Sequence, residues 1–424
     1  MRLTQGLRAD LQAAVETILD QRLSLRSPAP LGVAFSGGSD SLALLLAAHA
    51  WARGAGRELL VLHVDHGLQA RAADWARRCA EVAESLDRPF LRLVWTGPKP
   101  ERGVPAAARA ARHRLIADAA REVGARVVLM GHTADDLAES AAMRAGGSST
   151  PDPKIWSPSP AWPEGRGLFL LRPMLGLRRA DLRAALADAG WSWIEDPANA
   201  NLAYARARAR RAQPPPPQAP PATPDLRPLA EQAIEPWPGV LSLPRKALHS
   251  TPAAGVFVGV AALCASGGAR PPTPAARQRL AEALAGDRSV AATLAGARIE
   301  SNADHVLFFR EAGEAARGGL APLNLTPGVR QVWDGRFEIE TQAPGLCVRR
   351  LAGLARRLPA LAQAELKAVP ASARGGLPIL ARMAEPDAPL AGEAAPARLT
   401  SLVLPRLHAA CGLIEREPVV APPP

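Results

Sequence analysis

Five short apolar runs in the first 200 residues, each followed by a stretch of helical periodicity, constrain the fold more than any other feature. Residues 31–35, 58–64, 90–95, 126–131 and 168–171 are rich in leucine or β-branched residues, as suits strands buried on both faces. Helical patterns occupy 41–53, 71–86, 104–123, 134–144 and 178–189. Strand–helix alternation of this kind predicts an α/β fold built on a doubly wound, parallel, five-stranded sheet. Ligands of such sheets bind beyond the C-terminal ends of the strands. Those ends carry Ser36, Asp65, Thr96 and His132.

The alternation stops near Arg211. The segment QPPPPQAPPAT, residues 213–223, reads as an extended proline-rich linker. The expected organisation is a first domain over 1–211, a linker over 212–224, and a mainly helical α+β domain over 225–313. A C-terminal region, 314–424, forms a small domain or is partly disordered. The second domain is expected to end in one hairpin, ATLAGARIE against HVLFFRE, turning at 301–304. One further strand-like piece spans 330–340.

The net charge is +11, and only Lys99, Lys154, Lys246 and Lys367 among the 51 basic residues are lysines. The abundance of Arg, Ala, Pro and Gly suggests a GC-rich genome, yet the excess charge still attracts polyanions, nucleic acid first among them. The four cysteines, Cys79, Cys264, Cys347 and Cys411, form no CxxC pair. Neither a zinc ribbon nor a disulfide framework is expected, and the thiols read as reduced, cytosolic and structural. The longest apolar runs, such as 42–48, fall far short of the roughly 20 residues of a membrane span. The first 20 residues lack the pattern of a signal peptide. A cytoplasmic protein without a membrane partner is expected.

The first strand leads into SGGSDS, residues 36–41, and then into an apolar helix. A strand, a glycine-rich turn and a helix N-terminus together make an anion site, because unpaired N–H groups and a partial positive charge face the turn. Gly37 and Gly38 let the backbone approach an oxyanion, and Ser36, Ser39 and Ser41 add hydroxyls. Asp40 repels phosphate unless a Mg²⁺ ion stands between them; it also fits a plain helix cap. No lysine lies near enough for a Walker A loop, and the spacing is not GxGxxG.

SGGSDS after an apolar strand resembles the PP-loop of the ATP pyrophosphatases, which cleave ATP between its α and β phosphates and adenylate a substrate oxygen. Further motifs follow in order: HVDHGLQ at 63–69, GHTADDLAES at 131–140, LLRPML at 170–175 and WIEDPANANLAYARARAR at 193–210. Together they resemble the bacterial tRNA(Ile)-lysidine synthases over residues 30–211. The segment LAGARIE…VLFFREAG is similar to one in that family's second domain.

The resemblance implies ligation of free lysine to C2 of the wobble cytidine in the isoleucine tRNA with a CAU anticodon. The cytidine O2 attacks the α-phosphate of ATP and pyrophosphate leaves; the lysine ε-amine then attacks C2 and expels AMP. ATP, Mg²⁺, lysine and this tRNA are the implied ligands, with homodimerisation open. Another PP-loop tRNA-modifying enzyme, such as a cytidine or uridine thiolase, is the alternative. ATP falls to Ser36, Gly37, Gly38, Ser39, Asp40 and Ser41, with Val64, Asp65 and His66 reaching adenine through their backbone. Asp40 is the implied metal ligand. Asp40, His132 and Arg112 are the implied catalytic groups. Asp136 and Glu139, i and i+3 on one helix, share a face and are assigned the lysine. Arg109, Arg112, Tyr204, Arg206, Arg208 and Arg210 are assigned tRNA contact; Tyr204 could stack on an unpaired base. The arginines after Tyr204 grip phosphate equally as a helix or as an extended chain.

The pattern departs from the family at Thr133, where a second histidine is usual, and at Leu137, Ser140, Gln69 and His113. Residues 146–163 replace a glycine-rich loop and are expected to close over the active site.

Overall fold

The computed structural model describes residues 7–147, 152–197, 205–212, 224–249, 251–313, 319–390 and 396–419. The proline-rich stretch 213–223 and Tyr204 lie outside them. The chain divides into two compact units, Met1–Ala222 with Ile414–Pro424, and Thr223–Leu413.

The first unit alternates helices α1 (Ala9–Arg22), α2 (Ser39–Ala55), α3 (Ala72–Ser85), α4 (Val104–Glu122), α5 (Ala134–Ala145), α6 (Arg179–Asp188) and α7 (Ala205–Arg211) with strands. The strands are β1 (Leu31–Ala34), β2 (Leu59–Asp65), β3 (Phe90–Val94), β4 (Val127–Met130), β5 (Trp156–Pro158) and β6 (Phe169–Leu171). Their order is β3-β2-β1-β4-β6-β5. The five expected strands pair in parallel. The sixth, β5, adds antiparallel to β6 within the segment expected as a loop.

Alternate residues of each central strand enter different cores, as a period of two requires. Val127 and Leu129 join Leu31, Val33 and the apolar faces of α1, α2 and α6. Val128 and Met130 join Leu62 and residues 116–120 of α4 on the other face. This is the doubly wound, two-sided burial that the apolar runs imply.

The chain crosses from β1 to β4 in the sheet order where the winding reverses, so the ends of these two strands border a crevice. The SGGSDS turn and His132 both follow them. A strap at 414–419 returns to this unit: the Arg57 and Glu417 side chains, 3% and 0% exposed, pair at 2.9 Å. Arg57 also donates to the carbonyls of Ser24 and Ala29.

In the second unit, helices α8 (Arg227–Ala230), α9 (Ala254–Ser266) and α10 (Pro274–Ala285) accompany strands β7 (Ile234–Trp237), β8 (Val240–Pro244), β9 (Ala291–Leu294), β10 (Ala297–Ser301) and β11 (His305–Arg310). These strands form an antiparallel sheet in the order β7-β8-β11-β10-β9. The remainder supplies β12 (Leu323–Asn324), β13 (Gln331–Trp333), β14 (Phe337–Thr341), β15 (Leu346–Arg350), β16 (Pro378–Arg382), β17 (Glu385–Leu390) and β18 (Ala397–Ser401). They form two further sheets, β12-β15-β16-β17 and β13-β14-β18. Short helices α11 (Ala360–Leu366) and α12 (Ala371–Arg374) precede β16, and α13 (Val403–Cys411) closes the unit.

Two expected strands are each split by a tight turn. ATLAGARIE becomes β9 and β10 around Ala295 (φ 50°) and Gly296 (φ 82°). The piece at 330–340 becomes β13 and β14 around Asp334 (φ 52°) and Gly335 (φ 66°). Two consecutive positive φ values mark tight hairpin turns, a two-residue loop at 295–296 and a three-residue loop at 334–336. No described helix is long and apolar enough to cross a membrane.

Candidate active site

The SGGSDS turn is closed by its own hydroxyls. Ser41 Oγ accepts from the Ser36 N–H at 3.2 Å and donates to the Gly38 carbonyl at 3.0 Å. Gly37 stands at φ +84°, and a Cβ there would lie 2.4 Å from Ile194 Cδ1 and 2.9 Å from Cys79 Sγ. The Gly37 carbonyl accepts from the Ile194 N–H at 2.8 Å, so the WIEDP segment buttresses the turn from behind. Gly37→Ala therefore combines a strained backbone with a clash and is expected to cost roughly 1–3 kcal/mol, read from thermal unfolding.

Asp40 lies in the first turn of α2, where the helix dipole favours a carboxylate. Its Oδ1 accepts from Ser39 Oγ at 3.1 Å and its Oδ2 from Arg179 Nε at 2.8 Å. Burial raises the Asp40 pKa against the opposing pull of Arg179. Gly131, just past β4, packs on this point: a Cβ there would meet the Asp40 carbonyl oxygen at 3.0 Å. The residue that follows β4 thus packs on the backbone of the first turn of α2.

α5 begins at Thr133, whose N–H and hydroxyl both donate to Asp136 Oδ2, at 2.7 and 3.1 Å. This reciprocal cap fixes the start of the helix. Asp136 and Glu139 are buried on one face, as their spacing predicts. Three arginines converge on them. Arg179 Nη1 lies 3.0 Å from Glu139 and its Nη2 3.5 Å from Asp136. Arg206 Nε donates to Glu139 at 2.8 Å and its Nη2 to Asp136. Arg210 Nε donates to Glu139 at 2.8 Å. Burial pushes the Glu139 pKa up, but the hydrogen bonds from Arg210 and Arg206 outweigh it and leave the carboxyl below its ordinary range.

Arg206 and Arg210, one turn apart on α7, face α5 together. The choice left open by the sequence resolves as a helix, with Arg208 exposed between them. Asp135, the neighbour of the pair, instead accepts from the Arg179 N–H at 2.8 Å and from Arg178 at 3.2 Å.

Arg109 and Arg112 project from α4. Arg112 Nε is sealed from solvent without a hydrogen-bond partner among the described residues. Burial, reinforced by Arg109, Arg206 and Arg172, pushes its pKa down to about 10. His113, next in sequence, is buried and its pKa is pushed down to about 2 by burial and Arg112. His132 is likewise held well below its ordinary range, by burial and then by Arg172 and Arg112.

At the end of β2, Asp65 accepts from the Gly67 N–H at 2.8 Å and from Arg92 at 2.5 Å. The Trp95 ring meets His66 edge-on at 6.1 Å. The Val64–His66 backbone therefore leaves the sheet beside the PP-loop strand in a fixed turn.

Sequence reasoning missed Arg179, Arg172 and Arg183. Arg179 bridges Asp40 to Glu139, so the SGGSDS turn and the acidic pair lie within the span of one guanidinium. Arg183 donates to Ser39 Oγ at 3.2 Å and stacks over Trp193 at 5.5 Å. Arg172 stands in the LLRPML motif, which was a signal for it; Arg179 and Arg183 have none beyond i, i+4 spacing. The segment expected to close over the site instead commits Trp156 to β5. The Trp156 ring stacks on Phe169 at 4.7 Å and its Nε1 donates to the Ile414 carbonyl at 2.7 Å.

The model of the PP-loop domain family matches residues 8–215. The chain is 48% identical over 415 residues to a tRNA(Ile)-lysidine synthase of Caulobacter vibrioides, covering 96% of this chain and 98% of that one. It is 36% identical to the same enzyme of Hyphomonas neptunium, over 75% and 91% of the two chains. Among solved structures, the U34-tRNA thiolase NcsA of Methanococcus maripaludis aligns with a TM-score of 0.40 and 14% identity, over 48% of this chain and 71% of that one. With near-complete coverage at this identity, and with a PP-loop domain carrying an acidic pair beside its SGGSDS turn, the chain belongs to the tRNA(Ile)-lysidine synthase family.

Proposed function

We propose that this chain joins free lysine to C2 of the wobble cytidine of the CAU-anticodon isoleucine tRNA, consuming ATP and releasing AMP and pyrophosphate in the cytoplasm. It is a ligase that makes a carbon–nitrogen bond. The observation that carries the reading is the juxtaposition of Asp40 with Asp136 and Glu139, which brings the SGGSDS turn to a buried pair of carboxylates suited to a cation.

The first half-reaction makes a bond from the cytidine O2 to the α-phosphorus while the bond to pyrophosphate breaks. A carbonyl oxygen is a weak nucleophile, so the departing charge must be absorbed by fixed donors. The N–H groups at the start of α2 and the hydroxyls of Ser36 and Ser39 would supply them, and Arg112 would bring a positive charge with an Nε that meets no acceptor among the described residues. In the second half-reaction the lysine ε-nitrogen, as the free amine, bonds to C2, O2 leaves with AMP, and the surplus proton on the nitrogen passes to solvent. Asp136 and Glu139 hold the positive charge of the lysine; the guanidinium groups now on them indicate what cation they accept. Arg206 and Arg210 must give up these carboxylates for lysine to enter. The anticodon-loop phosphates are suited to draw them off, which would place lysine entry after tRNA binding.

A Mg²⁺ ion suits this site. The donor set is oxygen, as the ion prefers, and Asp40 Oδ1 carries only the Ser39 hydroxyl among the described residues. Asp40 would hold it together with phosphate oxygens of ATP, and its charge would offset that of the leaving group. The thiolase alternative gains no support at Cys79, whose buried thiol is pushed up to about 12 behind Gly37.

The test is incorporation of labelled lysine into the tRNA, with AMP release measured in parallel. Glu139→Gln should raise the KM for lysine roughly a hundredfold, as loss of one partner of a buried charge pair does. The KM for ATP should hardly move. Wild-type protein that releases AMP without lysine or tRNA would sink the proposal.

A further inference from the structure

Arg172 follows β6 directly and is 5% exposed. Its Nη1 donates to the Lys154 carbonyl at 2.8 Å and to Ser157 Oγ at 3.0 Å, both on the β5 side. Its Nε points the other way and donates to Nδ1 of His132 at 3.2 Å. β6 neighbours β4 in the sheet, so the two residues that follow these strands meet side by side. With both ends of the guanidinium engaged, the group has one orientation.

A guanidinium carries only donors and never accepts. The His132 Nδ1 that faces it must present a lone pair, and the single proton of the neutral ring then sits on Nε2. A doubly protonated ring would turn N–H against N–H. We infer that Arg172 is a positioning residue that holds His132 as its Nε2–H tautomer, so that the ring offers a donor to a phosphate oxygen of nucleotide bound on the 36–41 turn.

The placement agrees. Gly131 packs on the Asp40 and Ser41 backbone, which sets His132 beside the start of α2. Burial and four nearby arginines keep the ring neutral at physiological pH. His132 in this state stabilises charge and takes no proton. The tautomer follows from the protein alone; the phosphate partner rests on the proposed function.

The experiment uses full-length protein labelled with ¹⁵N-histidine. Two-bond proton–nitrogen correlations report which ring nitrogen carries hydrogen, with the His132 signals assigned by their loss in His132→Asn. Wild type should show a single Nε2–H form. Arg172→Met should show both tautomers, and kcat for AMP release should fall about tenfold to a hundredfold, the usual cost of losing the partner that orients a histidine. The KM for lysine should stay constant. Arg172→Lys, whose ammonium also only donates, should keep the tautomer and most of kcat. A proton on Nδ1 in wild type overturns the inference whatever the enzyme makes. So does Arg172→Met with an unchanged tautomer and wild-type kcat. If Arg172→Met does not fold, the wild-type and Arg172→Lys spectra decide the matter. A wild-type protein with the Nε2–H ring but no lysine-dependent AMP release would remove the proposed function and leave the tautomer lock standing.

Discussion

Asp40→Asn is expected to yield a protein that melts like wild type and yet loses about a hundredfold to a thousandfold in lysine- and tRNA-dependent AMP release, the scale of losing one group that stabilises transition-state charge. The two side chains have the same shape. The amide oxygen can still accept from Arg179, and the amide nitrogen can donate to Ser39. Arg179 retains Glu139 and Asp136. Burial works against the Asp40 charge, so a neutral replacement relieves a cost as it removes an ion pair. Stability should change by no more than about 1 kcal/mol, because the neutral amide escapes the cost of burial and Arg179 keeps two counter-ions. What disappears is the single negative oxygen set at the phosphate turn. The measurement pairs a thermal melt with AMP release at saturating ATP and lysine. Turnover within a fewfold of wild type would mean that Asp40 is only a helix cap.

Glu417→Ala should act in the opposite sense, on stability with little direct effect on chemistry. Its carboxylate is 0% exposed and pairs with Arg57 through both oxygens, at 2.9 and 3.0 Å. It also accepts from the Ser24 N–H at 3.0 Å. Truncation leaves a guanidinium charge buried without its counter-ion, which typically costs about 3–5 kcal/mol. For a unit of this size that lowers the melting temperature by about 10 °C or more. Arg57→Met combined with Glu417→Met should recover much of the loss, because the penalty comes from the orphaned charge and not from missing attraction. A single variant that melts with wild type would show that water already reaches Arg57.

The parts of this architecture that local chemistry dictates were legible beforehand. Strands buried on two faces advertise themselves as apolar runs, and two glycines between a strand and a helix mark a turn that needs close backbone approach, although Ile194 as the neighbour of Gly37 had no local signal. Asp136 and Glu139 share a face because helical spacing compels it. Antiparallel strands in the second unit were harder. Ala295–Gly296 and Asp334–Gly335 each break what reads as one run, and Pro236 obscures β7. The convergence on α5 was hidden for another reason. Arg179 and Arg206 come from the next two helices, 40 residues or more beyond the carboxylates they meet, and no local pattern says which arginine will meet which carboxylate. The Arg57–Glu417 pair, 360 residues apart, is the extreme case.

The return of residues 414–419 to the first unit has a consequence for biosynthesis. The ribosome makes everything around the nucleotide turn early, then adds some 190 residues that fold elsewhere before delivering Glu417. At bacterial elongation speeds of about 5–20 residues per second, Arg57, made 360 residues before Glu417, waits roughly 20–70 seconds for its counter-charge. A nascent or prematurely terminated polypeptide therefore carries a weakened enzyme core, open to proteolysis, and only a finished one is locked.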